Sequence, residues 1–305
     1  MKSTRSLISI FFVASFFLPA QATSPKFYSI NNIFGISTRE TSSVCKDDNG
    51  FIWASSKTGI LRITHDNYRL YRLPYETANV ISLRLIYQNS KLLACANNGQ
   101  IFSYNPVLDR FELLINLSKV LNNKYLLANT LLVDPLGACW VACSSGLYKY
   151  ASGQLTLIED IQTEVYSIAW YDRDRLIIVR PEGIWLLNIY SLVSECVYRN
   201  SSVTPFSVPE LYYDKEIDKL WIGTMSNGLY SYDFGARIFS AILPSTFPKQ
   251  PVLAIESNTD STLLFGVDGQ GVWELNRSGS KVLNVYKESV DDPFSLRGNG
   301  VYDLY

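Results

Sequence analysis

From residue 42 onward, apolar and polar residues alternate in short runs, each closed by a turn rich in Gly, Asn or Asp. Successive side chains on a strand point to opposite faces, so such runs read as half-buried strands. Ser42 to Lys46, Phe51 to Ser55, Ile60 to Thr64 and Tyr68 to Leu73 give four strands in succession. The breakers between them are Asp-Asn-Gly, Lys-Thr-Gly and His-Asp-Asn. Beyond residue 22, no window of about a dozen residues carries apolar residues at sustained helical spacing.

This four-strand pattern recurs. Asp47-x-x-Gly50-x-Ile52-Trp53, followed by Gly59-Ile60-Leu61, returns as Asp134-x-x-Gly137-x-Cys139-Trp140, followed by Gly146-Leu147-Tyr148. It returns again around Leu220-Trp221-Ile222 and Gly228-Leu229-Tyr230. Weaker copies pass through Leu93, Ile177 and Leu264, the last leading to Gly271-Val272-Trp273. The equivalent positions 53, 93, 140, 177, 221 and 264 are spaced by 40, 47, 37, 44 and 43 residues. Four-stranded repeats of about 40 to 45 residues predict an all-β chain, a β-propeller of four-stranded blades. Six blades fill roughly residues 38 to 288, and a seventh starts at Ser295 and is one strand in at Tyr305. Residues 25 to 37 are expected to supply a strand that closes the ring. The chain reads as a truncated product or fragment, incompletely closed and prone to self-association, with a homodimer as one outcome.

A four-stranded blade cannot bury both faces alone, so Trp53, Trp140 and Trp221 are assigned to the seams between blades. Gly59, Gly146, Gly228 and Gly271 are assigned to turns that need positive φ. Asn105, Asp233 and Asn276 stand where Asx side chains bond the backbone just ahead of them.

The first 22 residues read as a signal peptide. Lys2 and Arg5 precede a largely apolar run from Leu7 to Leu18, and Ala20-Gln21-Ala22 has the small-x-small form of a cleavage site. A run of that length is too short to span a bilayer as a helix. The remainder, 23–305, is read as one propeller domain, periplasmic or secreted. The chain has 27 Lys and Arg against 28 Asp and Glu, so loss of Lys2 and Arg5 leaves a formal charge of −3. With no basic run, nucleic acid is not an expected partner. Five cysteines follow, an odd number at irregular spacing. Cys139 and Cys143 lie about 13 Å apart along one strand, too far to pair, and all five are expected to be free thiols, mostly buried.

The phrase Asp-x-x-Gly-x-(Leu/Ile)-Trp-(Ile/Val)-(Gly/Ala)-(Thr/Cys), then Gly-Leu-x-x-Tyr, resembles the two-component regulator propeller repeat. Asp291-Asp292-Pro293-Phe294-Ser295-Leu296 leading into Asn299-x-Val301 is similar to that family's blade junction. The resemblance covers about residues 38 to 305 and implies the periplasmic sensor region of a hybrid two-component system of gut Bacteroidetes, responding to oligosaccharides. It also implies partners this chain does not contain: a second propeller, a membrane segment, and kinase, receiver and DNA-binding modules.

Catalytic chemistry is thin. The single histidine, His65, sits in a strand-to-strand turn and no nucleophile-elbow motif occurs. The pairs Asp47-Asp48, Asp172-Asp174 and Asp291-Asp292 lie in solvated turns, and neither zinc-ligand spacing nor a complete calcium loop is present. No cofactor or metal is expected. Binding has the better claim. Loops joining strands two and three share a face with loops between blades, and they carry Lys57, Asn97, Arg180, Glu182, Asn227 and Asp268. The inter-blade loops add Tyr75, Glu76, Asn79, Asn122, Lys124, Tyr125 and Glu164. Amides, charges and tyrosines suit a sugar, with Lys57 and Arg180 placed to meet an acidic one and Tyr75 to stack on a ring. An exported polysaccharide lyase or hydrolase and a protein-interaction scaffold remain alternatives.

Overall fold

Each repeat folds on itself because its turns oblige it to. In blade 1, Asp47 accepts hydrogen bonds from the backbone of Asn49 (2.9 Å) and Phe51 (3.0 Å) and from the Trp53 indole (2.8 Å). Asp134 repeats this in blade 3 with Leu136, Ala138 and Trp140. One carboxylate therefore shapes the turn and fixes the tryptophan that follows it. The third turn works likewise: Asn105 Oδ1 accepts from Val107 and Leu108, and Asp233 Oδ1 from Ala236.

A computed structural model describes residues 25–36, 40–78, 80, 82–200 and 207–305. The signal peptide and Asn79 lie outside the described residues. Six antiparallel sheets form, each of four strands in sequence order, at residues 43–71, 83–116, 128–157, 167–199, 210–241 and 252–286. The first strand of each blade lies against the first strand of the next, from blade 1 to blade 6. Observed strands match the expected ones within two residues; blade 1 has Ser43–Lys46, Ile52–Ser56, Gly59–Ile63 and Tyr68–Tyr71. The only helices among the described residues are Ile30–Phe34 and Leu117–Val120.

The seams are as expected. Trp53 packs with Leu83 and Leu85 of blade 2, Trp140 with Ile168 and Ile178 of blade 4, and Trp221 with Phe265 and Val267 of blade 6. All three indoles are buried, and removing a ring of this kind costs about 3–5 kcal/mol. The glycines before the third strand have positive φ, but strain is not their whole reason. A Cβ on Gly59 or Gly271 would lie 2.2 or 2.1 Å from a fourth-strand carbonyl oxygen, that of Tyr71 or Tyr286. Gly146 and Gly228 meet the carbonyls of Ile161 and Pro248 in the same way.

Ring closure differs from the expectation of a strand. Residues 25–36 form no strand: Ile30–Phe34 is helical, and Ile30, Phe34 and Ile36 pack over Ala54, Leu61 and Ile63 on the open face of blade 1. Five residues are too few for a periodic signal, and an apolar face without a neighbouring blade takes whatever apolar segment reaches it. Just upstream, the Phe27 N–H donates to the Phe294 carbonyl (2.8 Å), and the Tyr28 ring meets Phe294 edge-on. Residues 295–305 form no strand either, apart from one parallel bridge between Glu288 and Leu296. They still join blade 6 to blade 1: Val301 abuts Gly266, and Asp303 accepts the Val44 N–H at 2.8 Å.

All five cysteines are free, and four are buried. No helix among the described residues is long and apolar enough to cross a membrane.

Candidate functional site

Blade 2 departs from the repeat at Gln100, where the other blades carry glycine. Its side chain is buried and points into the loop arriving from blade 1. Gln100 Oε1 accepts from the N–H groups of Glu76 (2.7 Å) and Thr77 (3.1 Å), and Nε2 donates to the Thr77 carbonyl (3.0 Å). This amide therefore hangs the Tyr75–Thr77 segment in place. The segment after blade 2 is fixed by the same hairpin. Leu117 N–H donates to the Gly99 carbonyl, Ser118 Oγ to the Asn98 carbonyl, and Asn116 caps the short helix through Lys119 N–H. Asn97 exchanges hydrogen bonds with Ser82: its N–H donates to the Ser82 carbonyl (3.1 Å) and its Oδ1 accepts the Ser82 N–H (3.3 Å).

These loops enclose three adjoining depressions on one face. A funnel of about 430 Å³ opens at the axis, with Asn97, Asn129, Glu164, Tyr166 and Tyr302 among its walls. A second depression of about 530 Å³ lies between blades 1 and 2 and holds Lys57, Tyr75 and Glu76. It shares Ser42, Ser82 and Leu83 with the funnel. A third, of about 670 Å³, holds Asn122, Lys124 and Tyr125 and shares Glu76 and Thr77 with the second. Together they make a groove from the axis across blades 1 to 3.

Arg84 lines the funnel and reaches across the axis to blade 5, where its Nη2 donates to Glu210 at 2.7 Å and to the Pro209 carbonyl at 3.3 Å. Glu210 holds the guanidinium firmly charged, and burial pushes the Glu210 carboxyl above its ordinary range against the pull of Arg84. Farther out, Lys57 pairs with Glu40, and Lys119 lies 3.5 Å from Glu76. Tyr75 is partly exposed, with its ring edge-on to Phe102 at 5.3 Å. Burial raises the pKa of its hydroxyl, which keeps it a neutral donor.

Of the loop residues singled out in the sequence, Lys57, Tyr75 and Asn97 come together in this groove, with Glu76, Asn122, Lys124, Tyr125 and Glu164. Arg180 and Glu182 do not join them. Arg180 stacks on Trp185 at 4.7 Å, donates to Thr163 Oγ1 at 2.9 Å and lies 3.2 Å from Glu182. Asn227 is held in its own turn, its N–H on Thr224 Oγ1 and its amide on Ser226. Asp268 sits beside Gly300 in blade 6, outside the groove. His65 is exposed in a turn between third and fourth strands, on the opposite face. Among the described residues, no three His, Cys, Asp or Glu side chains come together as a metal site requires.

No protein-family model matches the sequence, and no curated protein matches it. Solved structures do match. The extracellular domain of BT4673 from B. thetaiotaomicron, assigned to a hybrid two-component system, superposes with a TM-score of 0.71 at 18% identity over 92% of this chain. That of BT3049 from the same organism gives 0.65 at 15% identity over 87%. What is shared is the fold. This propeller spans 37% of the length of each of those domains. PorZ, a surface component of the type-IX secretion system of Porphyromonas gingivalis, is more distant at 0.56 and 15% identity, over 81% of this chain and 33% of its own.

Proposed function

We propose that this chain is the ligand-binding propeller of an exported two-component sensor and that it receives an oligosaccharide in the groove over blades 1 to 3. The observation that carries the reading is the groove itself. Three adjoining depressions on one face of a rigid ring carry amides from Asn97, Asn122 and Asn129 and tyrosine rings from Tyr75 and Tyr125. An extended chain of sugar rings needs this combination of planar hydrogen-bonding groups and aromatic platforms along one track. The similar folds in extracellular domains of two-component systems support the sensor role. Two of the groove's carboxylates face lysines and not one another, Glu40 meeting Lys57 and Glu76 meeting Lys119, while Glu164 stands at the funnel. A glycosidase would need two carboxyls flanking one bond, so the reading is binding without turnover.

Titration of the propeller with glycan fragments tests it. Binding is expected, weakened about tenfold by Tyr75→Ala at unchanged melting temperature, equivalent to about 1.4 kcal/mol. Absence of binding across a broad fragment set overturns the reading, as does release of shorter or unsaturated products.

A further inference from the structure

The groove carries charge at every stage, and most of its cations are paired with carboxylates. From the axis outward its cations among the described residues are Arg84, Lys57, Lys119 and Lys124. Arg84 is engaged by Glu210 at 2.7 Å, Lys57 by Glu40, and Lys119 by Glu76 at 3.5 Å. Lys124 lies over the ring of Tyr125 at 4.9 Å, and the one remaining carboxylate, Glu164, stands at the funnel end. Among the described residues, positive and negative groups thus balance in number along the track.

We infer that the ligand is a neutral, hydroxyl-rich oligosaccharide and that the groove selects against uronate- and sulfate-bearing chains. The inference rests on the proposed function and narrows it. An anionic sugar approaching Lys57 or Lys119 must share the lysine with Glu40 or Glu76 or take it from them. Either way a groove carboxylate stands beside the ligand's own negative charge, which is a repulsive arrangement. A neutral sugar disturbs none of these pairs and uses the amides and tyrosine faces between them. At the floor the price of intrusion is higher, because the Arg84–Glu210 pair is partly desolvated and joins opposite blades.

The test uses the full chain and two sets of oligosaccharides of matched length, one neutral and one bearing uronate or sulfate groups. The tightest ligand is expected in the neutral set, with affinity constant within about twofold between about 20 and 500 mM NaCl, since exposed charges are screened over that range. Anionic counterparts are expected to bind at least about tenfold more weakly. Glu40→Gln with Glu76→Gln frees Lys57 and Lys119 and is expected to raise affinity for the anionic set severalfold. A tightest ligand from the anionic set, weakened by salt, overturns the inference and leaves the proposed function standing. Anionic affinities unmoved by the double substitution also overturn it, because the ion pairs then do not set the selectivity. Binding of neither set overturns the proposed function and the inference together.

Discussion

Blade 5 departs from blades 1 and 3 in a way that gives a measurable consequence. Asp47 and Asp134 each accept the indole N–H of the tryptophan six residues on, at 2.8 and 3.1 Å. In blade 5 the turn is one residue longer, and Asp214 faces blade 6 instead. Arg277 Nε and Nη2 donate to its two oxygens, both at 2.6 Å, while the Trp221 indole nitrogen is buried with no partner. The Asp214 side chain is 0% exposed and that of Arg277 21%. Arg277→Ala therefore strands a buried carboxylate, a change worth about 3–5 kcal/mol. Asp214 can recover by rotating toward Trp221 Nε1, which regains about 1.5–3 kcal/mol as a hydrogen bond to a charged acceptor. The expected net loss is about 2 kcal/mol. Trp221→Phe removes the recovery route, so Arg277→Ala in that background should cost about 4 kcal/mol. Urea denaturation of the four chains, at constant slope, measures both numbers. A loss below about 0.5 kcal/mol for Arg277→Ala would place the pair among ordinary surface ion pairs and refute the reasoning.

Two further predictions follow from groups away from the groove. Burial pushes the Cys45 and Cys95 thiols up to about 12 and that of Cys139 to about 11, and raises Cys143 as well. A thiol reagent at neutral pH should accordingly label only half-buried Cys196 in the folded chain and all five in denaturant; rapid labelling of two or more in the native state contradicts the seam packing. Asp109 accepts hydrogen bonds from the hydroxyls of Tyr104 and Tyr71 and pairs with Arg62 and Arg69, which holds its carboxyl below the usual range. A depressed folded value stabilises above the unfolded pKa near 3.9 and is lost as pH falls through the folded value. Asp109→Asn should therefore flatten the acid limb of the stability profile below about pH 4, and an unchanged limb would show that the tyrosine bonds do not bias its titration.

The blades were legible because one residue type recurs under one physical constraint. Trp53, Trp140 and Trp221 fill seams, and the glycine before the third strand, present in every blade but the second, leaves room for a backbone carbonyl from the fourth strand or the loop after it. Where the constraint changes, legibility ends. Ile30–Phe34 is too short to show helical periodicity, and its placement follows from the bare face of blade 1, a tertiary circumstance. Lys57, Tyr75 and Asn97 were readable as loop residues on one face. Arg180 was equally readable and is spent on Trp185, since a loop position does not say which neighbour claims a side chain.

Arg84 and Glu210 were missed for the opposite reason: they lie inside strands, where an alternating pattern marks a charge as merely outward. The repeat alignment nevertheless holds the signal. Opposite the residue two places after each of positions 53, 93, 140, 177, 221 and 264, the first strands carry Ser43, Arg84, Thr130, Ser167, Glu210 and Ala254. Four of these six are small. Thr130 and Ser167 join neighbouring blades by a 2.9 Å hydrogen bond, and Ser43 accepts the Leu85 N–H at 3.0 Å. At this register successive blades come close enough for such contacts, so one long charged residue requires another to neutralise it. Blades 2 and 5 stand three places apart in the ring, and their opposite charges meet across the axis. Reading a repeat protein by columns, across blades at one register, thus recovers a pairing that reading along the chain conceals.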